Sequence, residues 1–270
     1  MRRIGFPVWR ETAWPSTGAA LYGKLMTDSA FEAVSGTAKS RLLLLCDHAS
    51  NALPPGFGTL GLDPALFQTH IAYDIGAAAV TRALAGAYGA PALLGRWSRL
   101  LIDLNRGPED PTLVMKLSDG SIIPGNRDAD ADEVARRIAQ FHAPYHAAIR
   151  RELDRIGAGA VVISMHSFTP SWKNVPRIWD VGVLYDRDTR LSAPLMARLT
   201  QDGFTVGDNE PYTGALEGDT LYTHGTLRDL PHVLIEVRQD LIATEAQAQA
   251  FASRLKPILD AALSDMHSRA

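Results

Sequence analysis

The sequence predicts an α/β fold, a three-layer α/β/α arrangement whose central sheet is mixed and mainly parallel. Short, wholly apolar runs alternate with longer amphipathic stretches, the pattern of buried strands alternating with helices. The polar residues with chemistry to offer follow those apolar runs, at the sheet edge where open α/β folds bind ligands. With 270 residues, 46% of them hydrophobic, the chain can bury one sizeable core.

Residues 1–37 have weak periodicity and read as an irregular N-terminal segment of a single domain spanning 1–270. Residues 41–46 (RLLLLC) form a first buried strand. Asp63-Pro64 reads as an N-cap and first helical position, and the apolar residues from 66 to 88 suit one helix. Residues 91–95 and 99–104 read as extended, and 107–129, rich in Pro, Gly and Asp, as a long loop over a site. A long helix over 130–156 ends at Gly157 and Gly159. Residues 160–165 (AVVISM), 181–185 (VGVLY), 204–206 and 232–237 (HVLIEV) read as strands, and 191–202 and 244–267 as helices, with Thr244 a cap.

Composition excludes several function classes. The net charge is −3, with no basic cluster, which argues against a nucleic-acid partner. No apolar run reaches membrane-spanning length, and residues 7–11 interrupt any secretory signal, so a cytoplasmic protein is expected. The lone Cys46 fits a reducing compartment.

His48, Asn105-Arg106, His166 and Glu236 each follow or end a different predicted strand. One histidine at a strand end is more often satisfied by backbone hydrogen bonds than by a metal, but the shared location favours a site. Two histidines and a carboxylate can hold zinc and leave a position for water. Asp74 is a third-ligand candidate, four residues after His70 on the predicted helix; an ordinary charge or hydrogen-bond partner is an equal reading. His142 and His146, one helical turn apart, have no acidic neighbour in sequence and suit packing or substrate positioning. Arg106 can grip a carboxylate through two parallel bonds. Arg99 and Arg238 can add charge at the same edge, and Glu236 and Arg238, on one side of a strand, are expected to pair.

The segments CDHASN (46–51), SRLLIDLNRGPED (98–110), SMHSF (164–168), GVLYDRD (182–188), VGDNEPY (206–212) and HVLIEVRQDLI (232–242) resemble, in order, the N-formylglutamate amidohydrolase family. The resemblance implies a zinc-carboxypeptidase-like fold, also similar to aspartoacylase-like deacylases, and a zinc-dependent hydrolase releasing glutamate and formate. It implies that His48 and His166 bind zinc and that Asn105-Arg106 holds the substrate carboxylate. It further implies that Arg99 stabilises the oxyanion and that Glu236 is the general base. The chain departs from the His-x-x-Glu zinc motif of those relatives, because Asn51 stands where the glutamate is expected. Either Asp74 completes the site, or the metal is held more weakly, or Asn51 contacts substrate. The implied partner is a small dicarboxylate, with Arg238 on its second carboxylate. A deacylase of another N-acyl amino acid or small peptide, and a metal-free carboxylate-binding protein of the same fold, are the alternatives.

Overall fold

The computed structural model describes residues 29–269. Its strands are β1 (Phe31–Val34), β2 (Leu42–Cys46), β3 (Ala92–Gly95), β4 (Leu117–Ser118), β5 (Ser121–Ile122), β6 (Val161–Phe168), β7 (Ser171–Trp172), β8 (Val175–Pro176), β9 (Val181–Leu184), β10 (Val206–Asp208) and β11 (His232–Arg238). The α-helices are α1 (Ala77–Tyr88), α2 (Pro124–Arg127), α3 (Ala131–Arg137), α4 (Ala143–Ile156), α5 (Ser192–Gln201), α6 (Thr220–His224) and α7 (Glu245–Arg269).

Seven strands form one sheet in the order β1-β3-β2-β6-β11-β9-β10. The β3–β2, β2–β6, β6–β11 and β9–β10 pairs are parallel, whereas β1–β3 and β11–β9 are antiparallel. The sheet is therefore mixed and mainly parallel, as expected. Alternate residues of the central strands face opposite layers, because successive strand side chains point to opposite faces. Leu44, Ile163 and Ile235 pack with α1, α5 and α7, while Leu43, Val162 and Leu234 pack with α4 and α6. Two apolar faces covered by helices make the three layers. No helix among the described residues is long and apolar enough to cross a membrane.

Several boundaries differ from those the sequence suggests. Within the stretch read as irregular, Phe31–Val34 pair with β3; residues 1–28 lie outside those described. The expected helix over 66–88 is only α1. Asp63 caps a 3-10 helix, Pro64–Gln68, and turns follow as far as Gly76. Gly76 has φ +81, and a Cβ there would meet the Ile242 carbonyl oxygen at 2.1 Å, so the chain can turn into α1 only at a glycine. His70 and Asp74 therefore lie on turns rather than on one helix face. Residues 99–104 are turns, not a strand. Leu100 is buried against side chains from neighbouring loops, and Leu101 and Ile102 against Phe141, Val134 and Ile138 of the long helix, which gives a turn the apolarity of a strand. The expected loop over 107–129 contains the β4–β5 hairpin and α2. The strand expected to end at 165 continues to Phe168, so His166 lies within it. The last strand of the β9–β10 pair starts at Val206 rather than 204. The helix over 130–156 is continuous, capped by Asp130, with a π-helical turn at Ile138–His142.

Candidate metal centre and active site

The site lies on the α4 face of the sheet, beyond the carboxyl end of β2 and beside the last residues of β6 and β11. His48 leaves β2 after one further residue, Asp47. Parallel pairing sets Glu236 of β11 directly beside His166 of β6, so both side chains point to the same face. Asp74 comes from the turn before α1, whose backbone is tied down where Asp74 N–H donates to the His48 carbonyl at 3.0 Å.

His48, Asp74 and His166 are buried and offer ligand atoms all within 4.8 Å of one another. Nδ1 of each ring approaches one oxygen, Asp74 Oδ2, at 3.3 Å from His48 and 2.8 Å from His166. The other nitrogen of each ring is already committed: His48 Nε2 donates to Asp103 Oδ1 at 2.7 Å and His166 Nε2 to Asp47 Oδ2 at 3.0 Å. A neutral imidazole donating from Nε2 carries a lone pair on Nδ1. Two such lone pairs aimed at a carboxylate oxygen repel it unless a cation lies between them or both rings are protonated. Backing carboxylates of this kind are the usual outer shell of zinc-ligating histidines. Two imidazoles and one carboxylate also make a zinc-type donor set that leaves a position open. The residues present thus fit a divalent ion.

In the chain alone, the buried charges compensate one another, with a proton on His166 in the place a cation would take. Burial would raise the Asp74 carboxyl, but the charge of His48 and the bond from His166 outweigh it and hold it well below the carboxylate range. Burial likewise opposes Asp47, yet the bond and charge of His166 hold it at about 2. His166 is pushed the other way: burial disfavours its charge, and the bonds to Asp47 and Asp74 raise it well above an ordinary imidazole. Glu236 is the contrasting group. Burial pushes it up to about 7, with His166 and Asp74 acting in opposite senses, and its Oε2 is buried without a hydrogen-bond partner. A buried carboxylate oxygen with no partner is a costly feature in a folded chain.

A cleft of about 490 Å³ opens above these groups and is lined by His48, Asp74, His166, Glu236, Arg99, Asn105 and Arg106, among others. Arg99 reaches Asp103 at 2.8 Å and Asp74 at 3.6 Å, so it stands beside the ligand set. Asn105 accepts from Thr220 N–H at 3.1 Å, and Arg106 donates to the Asn105 carbonyl at 2.8 Å.

Two expected site residues stand elsewhere. Asn51 donates to the Phe67 carbonyl at 2.7 Å and does not line the cleft; it ties down the 3-10 helix instead. Arg238 does not pair with Glu236. Its guanidinium is taken by Asp240 at 2.8 Å, two residues on, and by Asp180 at 3.1 Å, just before β9, and it does not line the cleft. His70 lines the cleft but faces Asp119 at 3.3 Å rather than acting with Asp74. Asp47 and Asp103 were not singled out by sequence reasoning. The available signal was an acid inside or at the end of an apolar run, CDH and LLIDL, where an unpaired charge is too costly to bury.

The sequence profile of the N-formylglutamate amidohydrolase family matches residues 40–243. The chain belongs to this family. It is an amide hydrolase with a His/His/Asp set able to coordinate a divalent ion. Among solved structures, a gene product of Agrobacterium tumefaciens is 36% identical, covering 90% of this chain and 98% of its own, with a TM-score of 0.85. The N-formylglutamate amidohydrolase of Ralstonia eutropha JMP134 is 21% identical, covering 89% and 98%, with a TM-score of 0.62, and shares the fold. No curated protein matches the chain.

Proposed function

We propose that this family member hydrolyses N-formyl-L-glutamate to L-glutamate and formate, with His48, Asp74 and His166 holding the metal. The observation that carries this reading is the unpartnered Oε2 of Glu236, buried beside a convergent His/His/Asp set at the foot of a cleft lined by Asn105 and Arg106. A bound divalent ion such as zinc would polarise the amide carbonyl and lower the pKa of water from about 15.7 to about 7. Glu236 accepts the proton that water loses and delivers it to the departing amine nitrogen. Arg99, oriented by Asp103 and Asp74, presents positive charge to the oxygen that becomes anionic as the carbonyl is attacked. Arg106 and Asn105 hold the substrate carboxylate, which fixes the amide over Glu236. Asp103 and Asp47 fix the histidine rings, so that Nδ1 of each points inward.

The substrate is a small dicarboxylate, which suits a protein of amino-acid metabolism; the unpaired, buried Cys46 suits a reducing, cytoplasmic setting. The test is formate release from N-formyl-L-glutamate, measured together with metal content. We expect activity in proportion to bound metal, abolished by chelation and restored by zinc or another divalent ion. Full activity in exhaustively stripped protein would sink the mechanism. Faster release from an N-acetyl or longer N-acyl glutamate would assign the chain to another deacylase.

A further inference from the structure

Arg177, on the segment that leaves the β7–β8 hairpin, stands behind the cleft wall: it is not a lining residue itself, but it touches three that are, Phe168, Thr169 and Tyr212. Its guanidinium carbon lies 5.1 Å from the Tyr212 ring centroid and 5.6 Å from those of both Phe168 and Trp172. Three aromatic faces hold the planar cation in one orientation, which an aliphatic ammonium would not require. Its side-chain hydrogen bonds all run through Nη1: to the Thr169 carbonyl at 3.4 Å, to Thr169 Oγ1 at 3.1 Å and to Tyr212 Oη at 3.2 Å. Among the described residues, Nε and Nη2 make no hydrogen bond to protein and no carboxylate pairs with Arg177. The other arginines of this region differ: Arg99 faces Asp103, Arg106 faces Asp110 at 3.9 Å, and Arg238 is held by Asp180 and Asp240.

The contacts of Arg177 face the reaction site. Phe168, Thr169 and Tyr212 all line the cleft that contains Glu236 and the metal set. Burial raises the Tyr212 hydroxyl, which also feels the charges of Glu236 and Arg177 in opposite senses, and Tyr212 lines the same cleft as Glu236. Because Tyr212 Oη accepts from Arg177, its own proton is available to donate. An orienting cation and a hydroxyl donor next to each other make a two-point receptor for a carboxylate.

We propose that Arg177 and Tyr212 form the subsite for the second, side-chain carboxylate of the substrate, and that Arg177 is a specificity-determining residue. This rests on the dicarboxylate reading of the site. It moves the distal carboxylate to the hairpin edge of the cleft and away from Arg238, whose charge is already neutralised. Arg106 then grips one end of the substrate and Arg177 the other, with the scissile amide between them over Glu236.

The experiment compares metal-loaded wild type, Arg177→Gln and Arg177→Lys on N-formyl-L-glutamate and N-formyl-L-glutamine. The two substrates have nearly the same shape and differ in the charge of the distal group. Wild type should prefer the glutamate. Arg177→Gln should lose roughly 10- to 100-fold in kcat/KM on the glutamate, mostly through KM, and only about two-fold on the glutamine. Arg177→Lys should recover part of the preference. Equal losses on both substrates, or no preference in wild type, overturn the subsite. If wild type hydrolyses neither compound, the substrate reading fails, and calorimetric titration with L-glutamate and L-glutamine then decides the subsite alone. Loss of the glutamate preference in Arg177→Gln supports it, and equal affinities in wild type overturn it. Unchanged thermal melting keeps a folding defect from imitating the result.

Discussion

Glu236 and His166 stand side by side across the parallel β6–β11 ladder, one a carboxylate with a free oxygen, the other a ring fully engaged by two carboxylates. Register alone creates this juxtaposition. A one-residue slip of β11 would turn Glu236 to the opposite face, toward Ile163 and Met165 of β6. On the antiparallel side the partner of Glu236 is Gly182, where a Cβ would lie 3.3 Å from that of Glu236 and 2.2 Å from the Glu210 carbonyl oxygen. The Glu236 side chain therefore has a bare neighbour on one side and a candidate ligand on the other.

Glu236→Gln should fold, bind metal and bind substrate, yet lose about 10²–10⁴ in kcat, the usual cost of removing a general base. The glutamine keeps the shape and removes the proton acceptor. Kinetics, metal analysis and melting on one preparation check this. A glutamine variant with near-normal kcat would mean that the base is another group.

Asp103 and Asp47 act on the metal through the histidines they hold. Asp103→Asn keeps a hydrogen-bond partner for His48 Nε2 but, since an amide can donate as well as accept, no longer restricts Nε2 to the donor role, so Nδ1 is less firmly held as the free lone pair. Metal affinity should fall roughly 10- to 100-fold, as is typical when an outer-shell carboxylate is removed. A competitive chelator titration measures it. Asp47→Asn should act similarly through His166. Unchanged affinity in both variants would leave these carboxylates as packing partners only. By contrast, His48→Ala, His166→Ala and Asp74→Ala should each abolish stoichiometric metal binding.

The central strands were legible in the sequence because each is a short apolar run buried on both faces. The catalytic-edge positions of His48, His166 and Glu236 were legible for the same reason: a polar residue at the end of such a run is conspicuous. What misled was apolarity without a lattice of backbone hydrogen bonds. Residues 100–102 are as buried as a strand, yet they are turns packed between a small loop core and the long helix. Asp74 was placed on a helix because Leu66, Phe67, Ile71 and Ala72 are apolar, although Gly76 separates them from α1. It still joins the group able to hold an ion, for a reason the sequence does not contain: the His48 carbonyl anchors its backbone from another loop. Arg238 shares a strand side with Glu236, but side-chain direction says nothing about which carboxylate is nearer. Arg177 was invisible because its meaning depends on three aromatic rings brought together from two separate segments.

Arg106→Lys keeps the charge and loses the fork. Arg106 lines the cleft and is held by its own loop, with Nη1 on the Asn105 carbonyl and Nε on Thr112 at 3.3 Å. KM for N-formyl-L-glutamate should rise about tenfold or more while kcat changes little, the pattern for binding shared by ground and transition states. A substrate whose α-carboxylate is amidated should discriminate poorly between wild type and variant. Equal losses on capped and free substrates would assign Arg106 to holding the loop.

The loop carrying Asn105 and Arg106 rests on a second histidine group, and this gives the protein an acid sensitivity distinct from the metal site. His142 Nε2 donates to the Arg106 carbonyl at 2.9 Å and His146 Nε2 to the Leu104 carbonyl at 3.0 Å. His146 Nδ1 therefore accepts from His224 Nε2 at 2.8 Å, which leaves His224 Nδ1 a buried acceptor without a partner. The π-helical turn at Ile138–His142 ends on His142, and the rings of His142 and His146 stack at 4.1 Å under successive parts of the loop. Burial lowers His142, and it lowers His146 to about 3 and His224 to about 4. A folded-state pKa below the unfolded value of about 6.5 means that the unfolded chain binds more protons below that pH. The stability of the neutral cluster is thus complete above about pH 6.5 and is lost as pH falls toward the folded values. Glu236 and Asp219, raised by burial to about 7 and about 6, titrate in the opposite sense, so the cluster is isolated by difference. Compared with wild type, His224→Leu removes one group that must stay neutral. Its stability relative to wild type should improve by roughly 2 kcal/mol between pH 7.5 and about pH 5, from 1.36 kcal/mol per pH unit below 6.5. Denaturant unfolding of metal-free protein at the two pH values measures this, and parallel stability curves would show that His224 carries no proton-linked cost.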